Sequence, residues 1–336
     1  MNALSFQAGK WRMQAAPHDG ARIVRLAYDG YDLLTAAPRR FRPPRRDYGR
    51  YETRPVYGYD DCFPSVDPGR FPGMRWRIPD HGELCWLPWA AAPVPGGLRF
   101  SVQSRKLPLT FSRTMIFDGN KLRWRFAVRS QAGHPLVFQH VMHPLMPLDR
   151  IDVAGLKLPD CDAVFDEARK CEWVPAGGSG RIRHAPFCSE GFQPSLNIQD
   201  AHAQRRQCAP CRRDNEARAG CPHDNRTDKI IRRLESKRSG GVDMLILRGV
   251  KTGRFQVAFQ QGPVLHVGFP AKKFTALGIW WNNRGYPDEP GCRRCECAFE
   301  PIPGETSSLA AAARMRSALT VLPGKSLRWA IDWEIK

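Results

Sequence analysis

The feature that most constrains this chain is a strict period of two in its hydrophobic residues. Near the C-terminus Leu327, Trp329, Ile331, Trp333 and Ile335 alternate with Arg328, Ala330, Asp332 and Glu334. Successive side chains of an extended strand point to opposite faces, so this spacing yields one buried and one wet face. Residues 121–129 repeat it, with Leu122, Trp124, Phe126 and Val128 set against Lys121, Arg123 and Arg125. Asp118-Gly119-Asn120 separates that run from the stretch 111–117, which predicts a hairpin. Further strands are expected over 21–28, 98–104, 136–142, 243–249, 254–260 and 264–269. One short helix is expected, with Thr306 or Ser307 capping a Leu-Ala-Ala-Ala-Ala-Arg-Met run that ends near Arg316.

Many short strands, with 29 Gly and 29 Pro between them, predict an all-β fold: a large antiparallel sandwich or barrel. A βαβ chain would need repeated helices of about ten residues or more, and the pattern offers none. The 336 residues are read as a single sandwich domain, 1–336, with a polar, Arg- and Cys-rich insertion at about 200–241 that reads as solvated or disordered. Pro-rich connections at 38–55 and 64–95 are long enough to build a site. No apolar run approaches the roughly 18 to 20 residues of a membrane helix, and residues 1–14 lack a leader pattern. Eleven cysteines at irregular spacing do not form a disulfide framework, so a reduced, cytoplasmic protein is expected. The net charge of +19 favours anionic partners.

Three clusters carry candidate chemistry. In the segment 79–89, His81 beside Gly82 has carboxylates on both sides, Asp80 and Glu83, that can fix its tautomer. Trp86 and Trp89 in the same segment supply flat apolar faces suited to a pyranose ring. His140 and His143 lie on a strand with opposite facing, so at most one enters a given pocket. Glu300 ends an apolar run and precedes Pro301 and Pro303; a carboxylate there is costly to bury without a purpose. Cys208, Cys211, Cys221 and His223 have some zinc-ligand character, but the Cys-x-His spacing is short and no metal is expected. The basic run from Arg205 to Arg238 lacks interleaved aromatics, so nucleic acid is not an expected partner.

Taken in order, these segments resemble the galactose mutarotase-like family, the aldose 1-epimerases and their relatives. The resemblance rests on residues 20–26 and 30–34, on Asp80-His81-Gly82-Glu83 and His143-Pro144, and on three C-terminal blocks. Those blocks are 277–283, Phe299-Glu300-Pro301 and 322–329. The resemblance implies a β-supersandwich with a sugar lying across one sheet. It implies Glu300 as the catalytic base, His143 as the acid and His81 as a binding residue. It implies anomer exchange without a cofactor or metal; a non-catalytic carbohydrate-binding protein on the same scaffold is the alternative. Trp86 and Trp281 are expected against the sugar. Arg75 and Arg77, in the loop before His81, are expected to hold an anionic substituent such as a phosphate. The partner expected is a small carbohydrate, neutral or anionic.

Overall fold

A computed structural model describes residues 3–38, 51, 56–173, 183–184, 226–236, 241–287 and 293–336. The alternating runs become neighbouring strands. Ser326–Ile335 pairs antiparallel with Lys121–Ser130, setting Trp333 opposite Leu122 and Ile331 opposite Trp124. Lys121–Ser130 pairs in turn with Leu109–Asp118 across a two-residue turn, where Gly119 takes the left-handed conformation (φ 57°). These strands are the middle of an eight-stranded sheet running from Ile151–Lys157 at one edge to Ala90–Val94 at the other.

Two further sheets cover it. A six-stranded sheet contains Leu4–Ala8, Trp11–Ala16, Arg22–Tyr28, Tyr59–Cys62 and Val141–Pro144. A seven-stranded sheet contains Met146–Pro147, Cys295–Ile302, Ala276–Asn283 and Gly241–Arg248. The chain passes from one to the other at Leu145, and Val141–Pro144 touches Cys295–Ile302, so the two sheets adjoin. One apolar cluster joins all three sheets, with Trp11 and Tyr59, Trp124 and Trp333, and Ile279 and Phe299 among its members. Burying each large apolar side chain is worth about 1.5–3 kcal/mol, which makes this layer the main source of stability. Every strand pairing among the described residues is antiparallel, in keeping with the all-β expectation.

A cluster of polar groups enters the core around Asp61. Asp61 Oδ2 accepts from the Arg113 guanidinium, while Oδ1 accepts from Tyr59 Oη and lies 2.9 Å from His140 Nε2. Burial opposes charge on Asp61, but Arg113 and His140 outweigh it and hold the carboxyl below its ordinary value. Burial likewise lowers His140, which packs against Phe111, Phe126 and Trp329.

Three expectations need correction. The strand expected over 136–142 is two: Leu136–Phe138 pairs with Leu319–Val321, and Val141–Pro144 pairs with Tyr59–Cys62. The break falls at Gln139, whose amide turns to the carbonyls of Pro303 and Thr306. The short helix Leu309–Arg314 is capped by Ser308, whose side chain accepts from the Ala311 amide. Within the segment read as a polar insertion, Arg226–Glu235 is helical and buries Ile230 and Leu234, an i, i+4 pair that a mostly charged composition obscures. Residues 200–225 and 237–240 of that segment, including Cys208, Cys211, Cys221 and His223, lie outside the described residues. Among the described residues no helix is long and apolar enough to cross a membrane.

Candidate active site

The junction of the six- and seven-stranded sheets carries the candidate chemistry, on the face turned away from the core. Along Tyr59–Cys62 the alternation sends Tyr59 and Asp61 inward, leaving Asp60 and Cys62 on the outer face. His143 is in register with Asp60, and Val141 with Cys62. His143 Nδ1 lies 2.9 Å from Asp60 Oδ1, so the carboxylate accepts the Nδ1 proton and Nε2 faces the cleft. Tyr51 Oη donates to the other Asp60 oxygen at 2.8 Å and lies 3.2 Å from His143 Nδ1. Beneath them the buried Arg22 guanidinium reaches Asp60 at 3.5 Å.

Glu300 arrives from the seven-stranded sheet. Its register partner is Gly278, where a Cβ would stand 3.2 Å from Glu300 Oε2; the missing side chain makes room for the carboxylate. Glu300 Oε1 lies 3.7 Å from His143 Nε2, both groups nearly buried. Burial and the nearby Asp60 raise the Glu300 carboxyl above its ordinary value, against the opposing pull of His143 and His81.

His81 completes the trio from a loop. Its backbone amide donates to Val66 O and its φ is positive (59°), a conformation held by the next residues. Gly82, also at positive φ, abuts the Phe63 carbonyl so closely that a Cβ there would collide with it. The His81 ring stacks on Tyr51 with centroids 3.7 Å apart and lies 5.0 Å from the His143 ring. Asp80 Oδ1, 3.0 Å away, accepts from His81 Nδ1. Burial disfavours the imidazolium, but Asp80, Asp60 and Glu300 overcome it and raise His81 to about 8. The other flanking carboxylate, Glu83, turns into the core to Ser104.

The remaining expected residues divide. Trp86 lies in a small apolar cluster with Tyr51, Leu145, Ala298 and Trp280, at the edge of the trio. Trp281 does not reach this face: it packs in the core, 3% exposed, because the residue after Trp280 on an extended strand must point the other way. Trp280, sharing its face with Gly278, takes the place expected of Trp281. Arg75 and Arg77 stand exposed around the small hairpin Gly69–Arg70/Arg77–Ile78, and no contact among the described residues ties them to the trio. Tyr51, Asp60, Cys62 and Trp280 escaped sequence reasoning. Strand alternation over 59–62 is the signal that pairs Asp60 with Cys62 on one face.

At the rim, Arg294 bonds Glu296 at 2.7 Å, and Tyr51 is near enough to feel its charge. A cavity of about 680 Å³ opens elsewhere, against Gln14, Arg25, Thr35 and Arg150, and shares no lining residue with the trio. Convergent acid and base groups make the trio, rather than that cavity, the candidate site.

No protein-family model and no curated protein matches the chain. Solved structures do. A GalM/aldose epimerase homologue from C. elegans superposes with a TM-score of 0.59 at 13% identity, covering 100% of this chain and 98% of that one. A galactose mutarotase-like protein from Clostridium acetobutylicum gives 0.60 at 12% identity over 99% and 95% of the two chains. Another, from Lactobacillus casei, gives 0.55 at 14% identity over 100% of both. At full length and low identity, the chain has the galactose mutarotase-like fold of the aldose 1-epimerase structures.

Proposed function

We propose that this protein is a mutarotase, an isomerase that interconverts the anomers of an aldose or sugar phosphate at the Glu300–His143–His81 cleft. The observation that carries the reading is the opposed pair itself. A buried carboxylate and the Nε2 of an imidazole face one another at 3.7 Å, and the imidazole is braced from behind by Asp60. A cyclic aldose seated against this pair presents its O1 hydroxyl to Glu300 and its ring oxygen to His143. Glu300 takes the O1 proton as the O1 electron pair forms the carbonyl. The C1–O5 bond breaks, and O5 receives the proton from His143 Nε2. Rotation about C1–C2 and the reverse steps close the ring as the other anomer, returning both protons. No net redox change occurs and no further reactant is consumed.

The surrounding residues support this division of labour. His81, charged at neutral pH and adjacent to both groups, is suited to hold a sugar hydroxyl. Trp86 and Trp280 offer flat apolar surfaces to the C–H face of the ring. Arg294 at the rim is the reason to include sugar phosphates among the substrates tested.

The test is mutarotation, followed by polarimetry or NMR, over a panel of neutral aldoses and their phosphates. A rate well above the uncatalysed one for at least one sugar is expected. Binding without acceleration for any of them would leave a carbohydrate-binding protein on the same scaffold. A pH profile sharpens the outcome. Glu300 must be ionised to act as base, so kcat/KM falls as pH drops through its raised pKa. His81 must keep its proton to donate to the sugar, so kcat/KM falls again above about 8. The expected profile is a bell whose acid limb lies above the ordinary carboxylate range. An acid limb at an unshifted carboxylate value would remove Glu300 from the role of base.

A further inference from the structure

Cys62 is unused by the chemistry above, yet it stands on the same outer strand face as Asp60 and beside both histidines. One ligand atom each from Cys62, His81 and His143 lie within 4.8 Å of one another. Around a tetrahedral zinc, with bonds near 2.0–2.3 Å, neighbouring ligand atoms sit about 3.3–3.6 Å apart. Modest side-chain rotation therefore closes the set. We infer that the cleft is also a binding site for a single thiophilic divalent cation such as Zn²⁺, held by Cys62 Sγ and the Nε2 atoms of His81 and His143.

The tautomers are the second observation. A metal-ligating histidine usually gives its other ring N–H to a carboxylate, which orients the ring and raises its basicity. Both histidines are arranged this way: His143 Nδ1 is held by Asp60 at 2.9 Å and His81 Nδ1 by Asp80 at 3.0 Å. Two carboxylate–histidine pairs, on different elements, thus leave Nε2 of each ring as the nitrogen that a cation can take. Three protein donors leave the fourth tetrahedral position open to a water molecule or a substrate oxygen. The donor set is one soft sulfur and two imidazoles, which suits Zn²⁺ and disfavours Mg²⁺ and Ca²⁺. Coordination displaces the Cys62 thiol proton and any proton on the ligating imidazole nitrogens, and releases them to solvent.

Coordination and ring opening compete for the same atoms. A cation on His143 Nε2 occupies the lone pair position through which that nitrogen carries its proton. Metal occupancy therefore switches off turnover and is relieved by a chelator. The effect on turnover rests on the mutarotase reading; the coordination does not.

The two are separated by titrating the chelator-treated protein with Co²⁺ as a spectroscopic stand-in and with Zn²⁺ against a chromophoric indicator. One equivalent of Co²⁺ should produce a thiolate-to-cobalt charge-transfer band that Zn²⁺ displaces. The band should vanish in Cys62→Ser, with Zn²⁺ affinity falling at least about 10-fold. Asp80→Asn, at a half-buried loop position, should weaken Zn²⁺ by about 10–100-fold through His81, and covers the case of a Cys62→Ser variant that does not fold. Mutarotation of the native protein should fall in step with the band and return with chelator. No band, or an unaltered band in a folded Cys62→Ser, overturns the site; full occupancy with undiminished turnover overturns its inhibitory role. A cobalt band in a protein that never turns over sugar would uphold the site and count against the mutarotase reading alone.

Discussion

Replacing Glu300 by Gln is expected to slow mutarotation by about 10²- to 10⁴-fold, the usual contribution of one positioned base. The substitution keeps shape and volume and removes only the ability to take the O1 proton. Sugar affinity, measured by calorimetry, should stay within a few-fold of the native value. Folding should not suffer, and the sign can be worked out. Burial raises the Glu300 carboxyl, so the folded state binds its proton more tightly than the unfolded chain does. Stability then falls as pH rises through that value, because the folded protein carries an unwelcome charge. A neutral amide removes that penalty, and the variant should melt at or above the native temperature at neutral pH. Retained turnover in a folded Glu300→Gln protein would overturn the base assignment.

The second large effect is on stability. Arg113→Leu is expected to cost about 3–5 kcal/mol, the typical result of removing one partner from a fully buried ion pair. Asp61 would keep a charge in the core with only His140 and Tyr59 around it. The side chain also carries an apolar load, its guanidinium lying 4.9–5.3 Å from the ring centroids of Phe100, Tyr59 and Trp89, so leucine recovers part of the packing and none of the charge balance. Urea denaturation measures it, as a lower midpoint at similar slope. Because Asp61 and Asp60 are successive residues of one strand, sugar binding should weaken as well. A loss below about 1 kcal/mol would mean that Asp61 is neutral in the folded protein, and Arg113→Leu with Asp61→Asn should then add nothing.

Legibility differed between fold and site. The strands over 121–129 and 327–335 were readable because a half-buried strand writes its two faces into consecutive residues. Their pairing with each other was not legible, because an apolar inward face is common to many strands and does not choose a neighbour. The helix Arg226–Glu235 was not readable: two buried positions in a highly charged stretch give little signal before their neighbours are known. Trp281 failed for a subtler reason. Trp280 and Trp281 are chemically identical, and only the register with Gly278 and Glu300 decides which of them faces the cleft.

His81, His143 and Glu300 were legible as candidates, each as an ionisable group in an apolar or Pro/Gly-rich setting, and their order along the chain carried the resemblance. By itself the chain determined its strand faces, its all-β class and which ionisable groups stood in costly positions, because those depend on local geometry and composition. The meeting of the three groups was decided by tertiary structure. It required two sheets to adjoin at Leu145, a loop to fold back over Phe63, and Tyr51 to stack on His81. The same packing chose Asp60 and Asp80 as the carboxylates that orient the two imidazoles, and it raised Glu300 and His81 from their ordinary ionisation. Those properties depend on distance and burial in three dimensions, which residue order along a chain does not encode locally.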